Sequence, residues 1–223
     1  MSAPIPFLSA LVLICVAFPT QLFRVAMMAV DVSKAGGRLL SRVGLAVFCV
    51  AVAALAWYVA PVEPRLLPDV SWWLLGAVAV GAVAPAWEIG LGYLIGWAGR
   101  RRPTGFSLHD RSPSGSVAVT LAAVVVAGAE EVIFRGIGLG LLTGPLGWAP
   151  VVAIALTSVV YGLNHLYFGW LTVAQKTVTG AVFGVLWLLS GGLLVPIVAH
   201  VAQNLVVLTI LPRFESPSGK AVR

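Results

Sequence analysis

The sequence predicts an all-α, polytopic transmembrane helix bundle of about seven spans, and three observations carry that reading. First, 60% of the 223 residues are hydrophobic, 10% are charged and the mean hydropathy is +1.00, whereas a soluble domain needs about a quarter of its residues charged to cover its surface. Second, the apolar residues fall into runs near the roughly 20 residues that an α-helix needs to cross a bilayer. Third, the basic residues alternate from loop to loop. Arg24, Lys34, Arg38 and Arg42 follow the first run, Arg100, Arg101, Arg102 and Arg111 follow the third, and Arg213, Lys220 and Arg223 close the chain. These eleven of the fourteen basic residues then share the cytoplasmic side and Arg65 lies outside, as the positive-inside rule requires. Topology accounts for the net charge of +6, so the lipid bilayer is the expected surroundings and a nucleic-acid partner is not expected.

The runs lie at about 5–23, 43–60, 72–98, 117–142, 149–164, 170–190 and 193–211. The first has no Lys or Arg ahead of it, so it lacks the charged start of a cleavable signal peptide and is expected to stay attached. Seven crossings put the N-terminus outside and the C-terminus in the cytoplasm. The third run carries Pro85 and, three residues on, Glu88, which is expected to be paired or to face water. Before the fourth run comes "GRRRPTGFSLHDRSPSGS", a loop by its Pro, Ser, Gly and charge, in which His109 is expected to be solvated. That loop separates an N-terminal part, 1–112, from a C-terminal helix bundle, 113–212, followed by a tail, 213–223. The fifth run is short, and is kept as a crossing because the alternation of basic loops fails without it. Lys176, near the start of the sixth, is expected to snorkel to the interface. Cys15 and Cys49 lie in apolar runs and read as packing residues.

Ionisable groups at the centre of a membrane helix each cost about 2.5 to 3.5 kcal/mol, yet "AVVVAGAEEVIFRGIGLG" carries Glu130, Glu131 and Arg135. Residues four apart share a helix face and adjacent ones do not. Glu131 therefore pairs with Arg135, and Glu130 faces something else. "SVVYGLNHLYFG" sets His165 at the end of the fifth run with Tyr161 one turn before it, and "VPIVAHVAQNLVV" sets His200 and Asn204 on one face of the seventh. A single membrane histidine is usually an interhelical hydrogen bond. Together these residues offer polar groups from three spans to one interior, the way sites are built between facing helices of a bundle.

"EEVIFR" is similar to the E-E-x-x-x-R motif of the CAAX-protease and bacteriocin-processing intramembrane proteases, also called the abortive-infection family. "YGLNH" resembles the second motif of that family, F-x-x-x-H, with Tyr161 in place of Phe, and "HVAQN" resembles the third, H-x-x-x-N. Order and rough intervals agree over about residues 115 to 210. The resemblance implies a helical membrane endopeptidase with Glu130, His165, His200 and Asn204 at the active centre, supported by Glu131, Arg135 and Tyr161. The implied partner is a peptide or membrane-protein substrate: a prenylated CAAX peptide, a bacteriocin leader or a juxtamembrane segment.

Peptide hydrolysis needs an activated water, a stabilised oxyanion and a proton for the leaving amine, and no Ser or Cys nucleophile beside a His is indicated. A Glu sheltered from water suits the general base, which assigns that part to Glu130. His165 can orient the water or protonate the amine, and the Asn204 amide can donate to the oxyanion beside His200. The metalloprotease label of the family keeps a second arrangement open, in which Glu130, His165 and His200 ligate zinc. H-E-x-x-H is absent and an amide is a poor zinc ligand, so metal-free activation is the favoured reading. Two other classes compete. A non-catalytic immunity or scaffold protein leaves the complete polar set unexplained, and a proton-coupled transporter of this size often shows two related halves, which are not visible here.

Overall fold

The computed structural model describes residues 5–28, 35–99 and 117–213, and the regular structure in them is helical throughout. Lys34, the loop with Arg100, Arg101, Arg102, His109 and Arg111, and the tail with Lys220 and Arg223 lie outside the described residues.

The first apolar run divides into two helices, α1 (Ile5–Val16) and α2 (Pro19–Met27). Pro19 has no N–H to continue α1 and disfavours a helical residue before it, so Phe18 leaves helical geometry and Pro19 opens a new first turn. Then come α3 (Ala35–Val59), α4 (Trp72–Ala98) and α5 (Val117–Thr143). Helix α5 widens into a π-helical stretch at Val132–Leu139, directly after the Glu130–Glu131 doublet. Such widenings concentrate at functional sites. They are followed by α6 (Pro150–Leu163), α7 (Trp170–Ser190) and α8 (Leu194–Arg213).

Among the described residues, five helices are long and apolar enough to cross a bilayer: α3 over Leu40–Val59, α4, α5, α7 and α8. Helix α6 has 14 residues, or about 21 Å of length, against a hydrocarbon core of about 30 Å. The seven expected spans thus approximate a polytopic bundle in which five helices have full crossing length. Its outward face is apolar, with Val151 79% and Leu75 76% exposed, which lipid tolerates and water does not. The chain is a multi-pass membrane protein.

The interior is built on α5 and α8. Helix α5 packs against α3, and α8 lies against both α4 and α5, while α6 packs on α7. A core cluster of Val12, Cys49, Ala56, Ile133, Phe134 and Tyr161 ties α1 and α3 to α5 and α6, and Cys49 packs there as a buried free thiol. Two glycines let backbones touch, as small residues do in membrane bundles. A Cβ on Gly162 would overlap the Thr177 hydroxyl of α7, and one on Gly81 of α4 would overlap the Ala199 carbonyl of α8 and lie 2.9 Å from the Ala202 Cβ. Gly81→Ala is therefore expected to force α4 and α8 apart at the upper end of the roughly 1 to 3 kcal/mol cost of overpacking. Gly76→Ala, where the new Cβ meets nothing within 4 Å among the described residues, is the matched control. Thermal unfolding of the two variants in detergent checks this, and equal stabilities would contradict the close approach.

Candidate active site

Three buried charged groups meet where α5 faces α8. Arg135 Nη1 donates to Glu131 Oε1 at 3.1 Å and Arg135 Nη2 to the Gly180 carbonyl of α7 at 2.8 Å. The pair expected from the four-residue spacing is present, with both side chains almost fully buried. A second link was not visible in the sequence: His200 Nδ1 lies 2.8 Å from the same Glu131 Oε1. Because that carboxylate oxygen accepts from both partners, the hydrogen of His200 belongs on Nδ1, and a neutral imidazole then turns the lone pair of Nε2 the other way. Glu131 thus orients His200 in addition to neutralising Arg135.

The lone pair faces Glu130. Glu130 Oε2 lies 3.9 Å from His200 Nε2, too far for a direct hydrogen bond, and the Tyr161 hydroxyl donates to the same nitrogen at 3.4 Å. The Tyr161 ring supports three neighbours at once. It meets Phe134 edge-on at 5.3 Å between centroids, His165 at 5.0 Å, and carries the Arg135 guanidinium at 4.7 Å over its face. His165 lies in the turn two residues past the end of α6 and donates from Nδ1 to the Tyr161 carbonyl at 3.0 Å. Asn204, one turn past His200, donates one of its two amide hydrogens to the Ala123 carbonyl of α5 at 3.2 Å. Glu130, Glu131, Arg135, Tyr161 and His200 are therefore brought together, His165 sits against Tyr161, and Asn204 bonds across to α5.

Glu130 and His200 approach one another, but His165 does not complete a ligand set. Among the described residues no group of three His, Cys, Asp or Glu side chains stands ready to hold a metal ion. Glu130, His165 and His200, the ligands of the alternative zinc arrangement, are not gathered into such a group.

A second polar cluster adjoins the first. Lys176 does not snorkel to the interface: its ammonium donates to both Glu88 oxygens, at 2.9 and 3.1 Å. A partly buried carboxylate within reach offers the ammonium a stronger partner than the interface does. Thr179 and Gln203 also donate to Glu88 Oε1, at 2.7 and 2.9 Å. Gln203 lies inside "HVAQN" three residues after His200, a spacing that places it beside His200 on the helix. On the opposite side, α2 holds the turn bearing His165. Gln21 donates to the Asn164 carbonyl at 2.9 Å, the Asn164 amide donates to Thr20 at 3.0 Å, and Arg24 stacks 3.7 Å over the Tyr167 ring.

The family model for Rce1-like, type II CAAX prenyl endopeptidases matches residues 113–206. No curated protein and no solved structure matches the chain. The matched stretch contains "EEVIFR", "YGLNH" and "HVAQN", and with them Glu130, Glu131, Arg135, Tyr161, His165, His200 and Asn204. Over residues 113–206, less than half of its length, this membrane protein is thus similar to the Rce1-like, type II CAAX prenyl endopeptidases.

Proposed function

We propose that the chain is an intramembrane endopeptidase in which Glu130 activates the attacking water and His200, held by Glu131, helps to place it. One observation carries this reading: the 3.9 Å separation of Glu130 Oε2 and His200 Nε2. A water about 2.8 Å from each atom, an ordinary hydrogen-bond length, closes a triangle on that base. Such a water donates one hydrogen to Glu130 and the other to the Nε2 lone pair in place of the long 3.4 Å contact from the Tyr161 hydroxyl, which leaves an oxygen lone pair for a peptide carbonyl. Glu130 takes the proton as general base and returns it to the leaving amine. His165 is the alternative proton donor. The second amide hydrogen of Asn204, beside His200, is the proposed donor to the oxyanion. The proposed chemistry runs through these side chains alone.

The proposed substrate class is the one named in the description of the matching family model. A prenylated C-terminal peptide brings its own membrane anchor and can reach a buried polar site from the bilayer. Comparing membrane peptides in cells that carry the active chain with those in cells carrying Glu130→Ala tests this, since uncleaved substrates should accumulate in the variant. Unchanged peptides would favour a scaffold role.

The orientation proposed from the basic loops puts the His165 end of α6 and the Lys176 end of α7 on the cytoplasmic side. A reporter fused after residue 105 is expected in the cytoplasm, and one fused near Asp69 outside. The reverse pattern would sink that arrangement.

A further inference from the structure

Helix α4 lies outside the family-matched residues, yet it touches α8 at two points that flank the reactive face. Gly81 lies against Ala199, the residue before His200, and Glu88 binds Gln203, the residue before Asn204. Gly81 and Glu88 are seven residues apart and Ala199 and Gln203 four apart, so each pair shares one face of its helix. Contact at one point leaves a helix free to roll, whereas two contacts on the same stripe fix roll and slide together. Helix α7 completes the clamp. Lys176 and Thr179 hold the Glu88 carboxylate, Gln175 donates to the Glu88 carbonyl at 2.6 Å, and Gly180, next to Thr179, accepts from Arg135.

The consequence for catalysis is geometric. A side-chain atom about 5 to 6 Å from the helix axis moves about 2 Å when the helix rolls by about 20°. A misplacement of about 1 Å can cost on the order of 100-fold in rate. The Gln203 side chain is fully buried and, among the described residues, its Oε1 has no partner, so the contact seen to hold its amide is the bond to Glu88. We propose that Glu88 is a positioning residue for the reaction, acting through Gln203 to fix the α8 face that presents His200 and Asn204 to Glu130. The kinetic part of this proposal rests on the endopeptidase reading, and the structural part does not.

The test uses the full chain in nanodiscs with two readouts, the imidazole nitrogen resonance of His200, assigned by its loss in His200→Ala, and kcat and KM on a peptide substrate. Gln203→Leu and Glu88→Leu/Lys176→Met are each expected to move the His200 resonance and lower kcat by about 10-fold to 100-fold, with KM nearly unchanged. Glu88→Gln/Lys176→Met keeps an acceptor for Gln203 without stranding an ammonium, and should recover most of both losses. A loss from fold damage alone would not be rescued in this way. Arg65→Gln removes an exposed ion pair with Asp69 and should match the wild type. If Gln203→Leu fails to fold, Gln203→Met and the paired Glu88 variants decide the matter. A His200 resonance that stays in place in the folded variants lacking the Glu88–Gln203 bond overturns the proposal, whatever their activity. If the wild type cuts no peptide, the endopeptidase reading falls and the resonance alone decides the positioning role.

Discussion

Glu131→Gln is expected to cost about 3 to 5 kcal/mol of stability, the range found when one partner of a buried ion pair is removed, although the new side chain is nearly isosteric. The substituted amide still offers one oxygen to Arg135 and His200. It offers no charge, and Arg135 is 1% exposed with its other hydrogen bond to a neutral carbonyl. The uncompensated guanidinium is the source of the loss. Adding Arg135→Met removes that cation and should return part of the folded yield. Activity should not return with it, because a neutral amide oxygen holds the His200 Nδ1–H less strongly than the carboxylate does. Thermal unfolding and turnover of the single and double variants in nanodiscs separate the two effects. A Glu131→Gln variant as stable as the wild type would show that the pair does not carry this load.

Glu130→Gln should leave the fold intact and abolish hydrolysis. The contact of Glu130 with His200 is 3.9 Å long, so the amide breaks no direct hydrogen bond there, and it removes the group proposed to accept the proton from water. General-base catalysis contributes typically about 100-fold to 10,000-fold, and a loss of at least that size in kcat is expected, with substrate binding retained. Glu130→Asp, which withdraws the carboxylate by one methylene, should fall between. The contrast with Glu131→Gln is the informative part: two adjacent glutamates, one lost to chemistry with stability kept, the other lost to both. Equal activity loss in two equally stable variants would contradict this division of roles.

What the sequence revealed was local. Glu131 with Arg135, Tyr161 with His165, and His200 with Asn204 are each four apart, and the helical repeat alone places each pair on one face. Glu131 and His200, 69 residues apart, meet because α5 and α8 pack together, and no spacing rule reaches that far. For the same reason Lys176 was misread. Its position near a helix start suggested the interface, but Glu88, 88 residues away, offered a carboxylate inside the bundle. Gln203 was passed over between the two motif residues His200 and Asn204, because an amide in an apolar run carries no charge to draw attention. The break of the first run at Pro19 was legible in principle, since proline punctuates helices wherever it falls. Composition identified the bundle; the π-helical widening of α5 needed backbone hydrogen bonds that only packing decides.

The central claim is that Glu130 makes this chain a peptidase, and one assay tests it most directly. Wild type and Glu130→Gln in nanodiscs are incubated with a prenylated C-terminal peptide and with its unprenylated twin, and the products are identified by mass spectrometry. The wild type is expected to cut the prenylated peptide at an internal bond and to leave its twin largely intact, while Glu130→Gln retains the prenylated peptide uncut. Identical products released by Glu130→Gln at the wild-type rate would contradict the account.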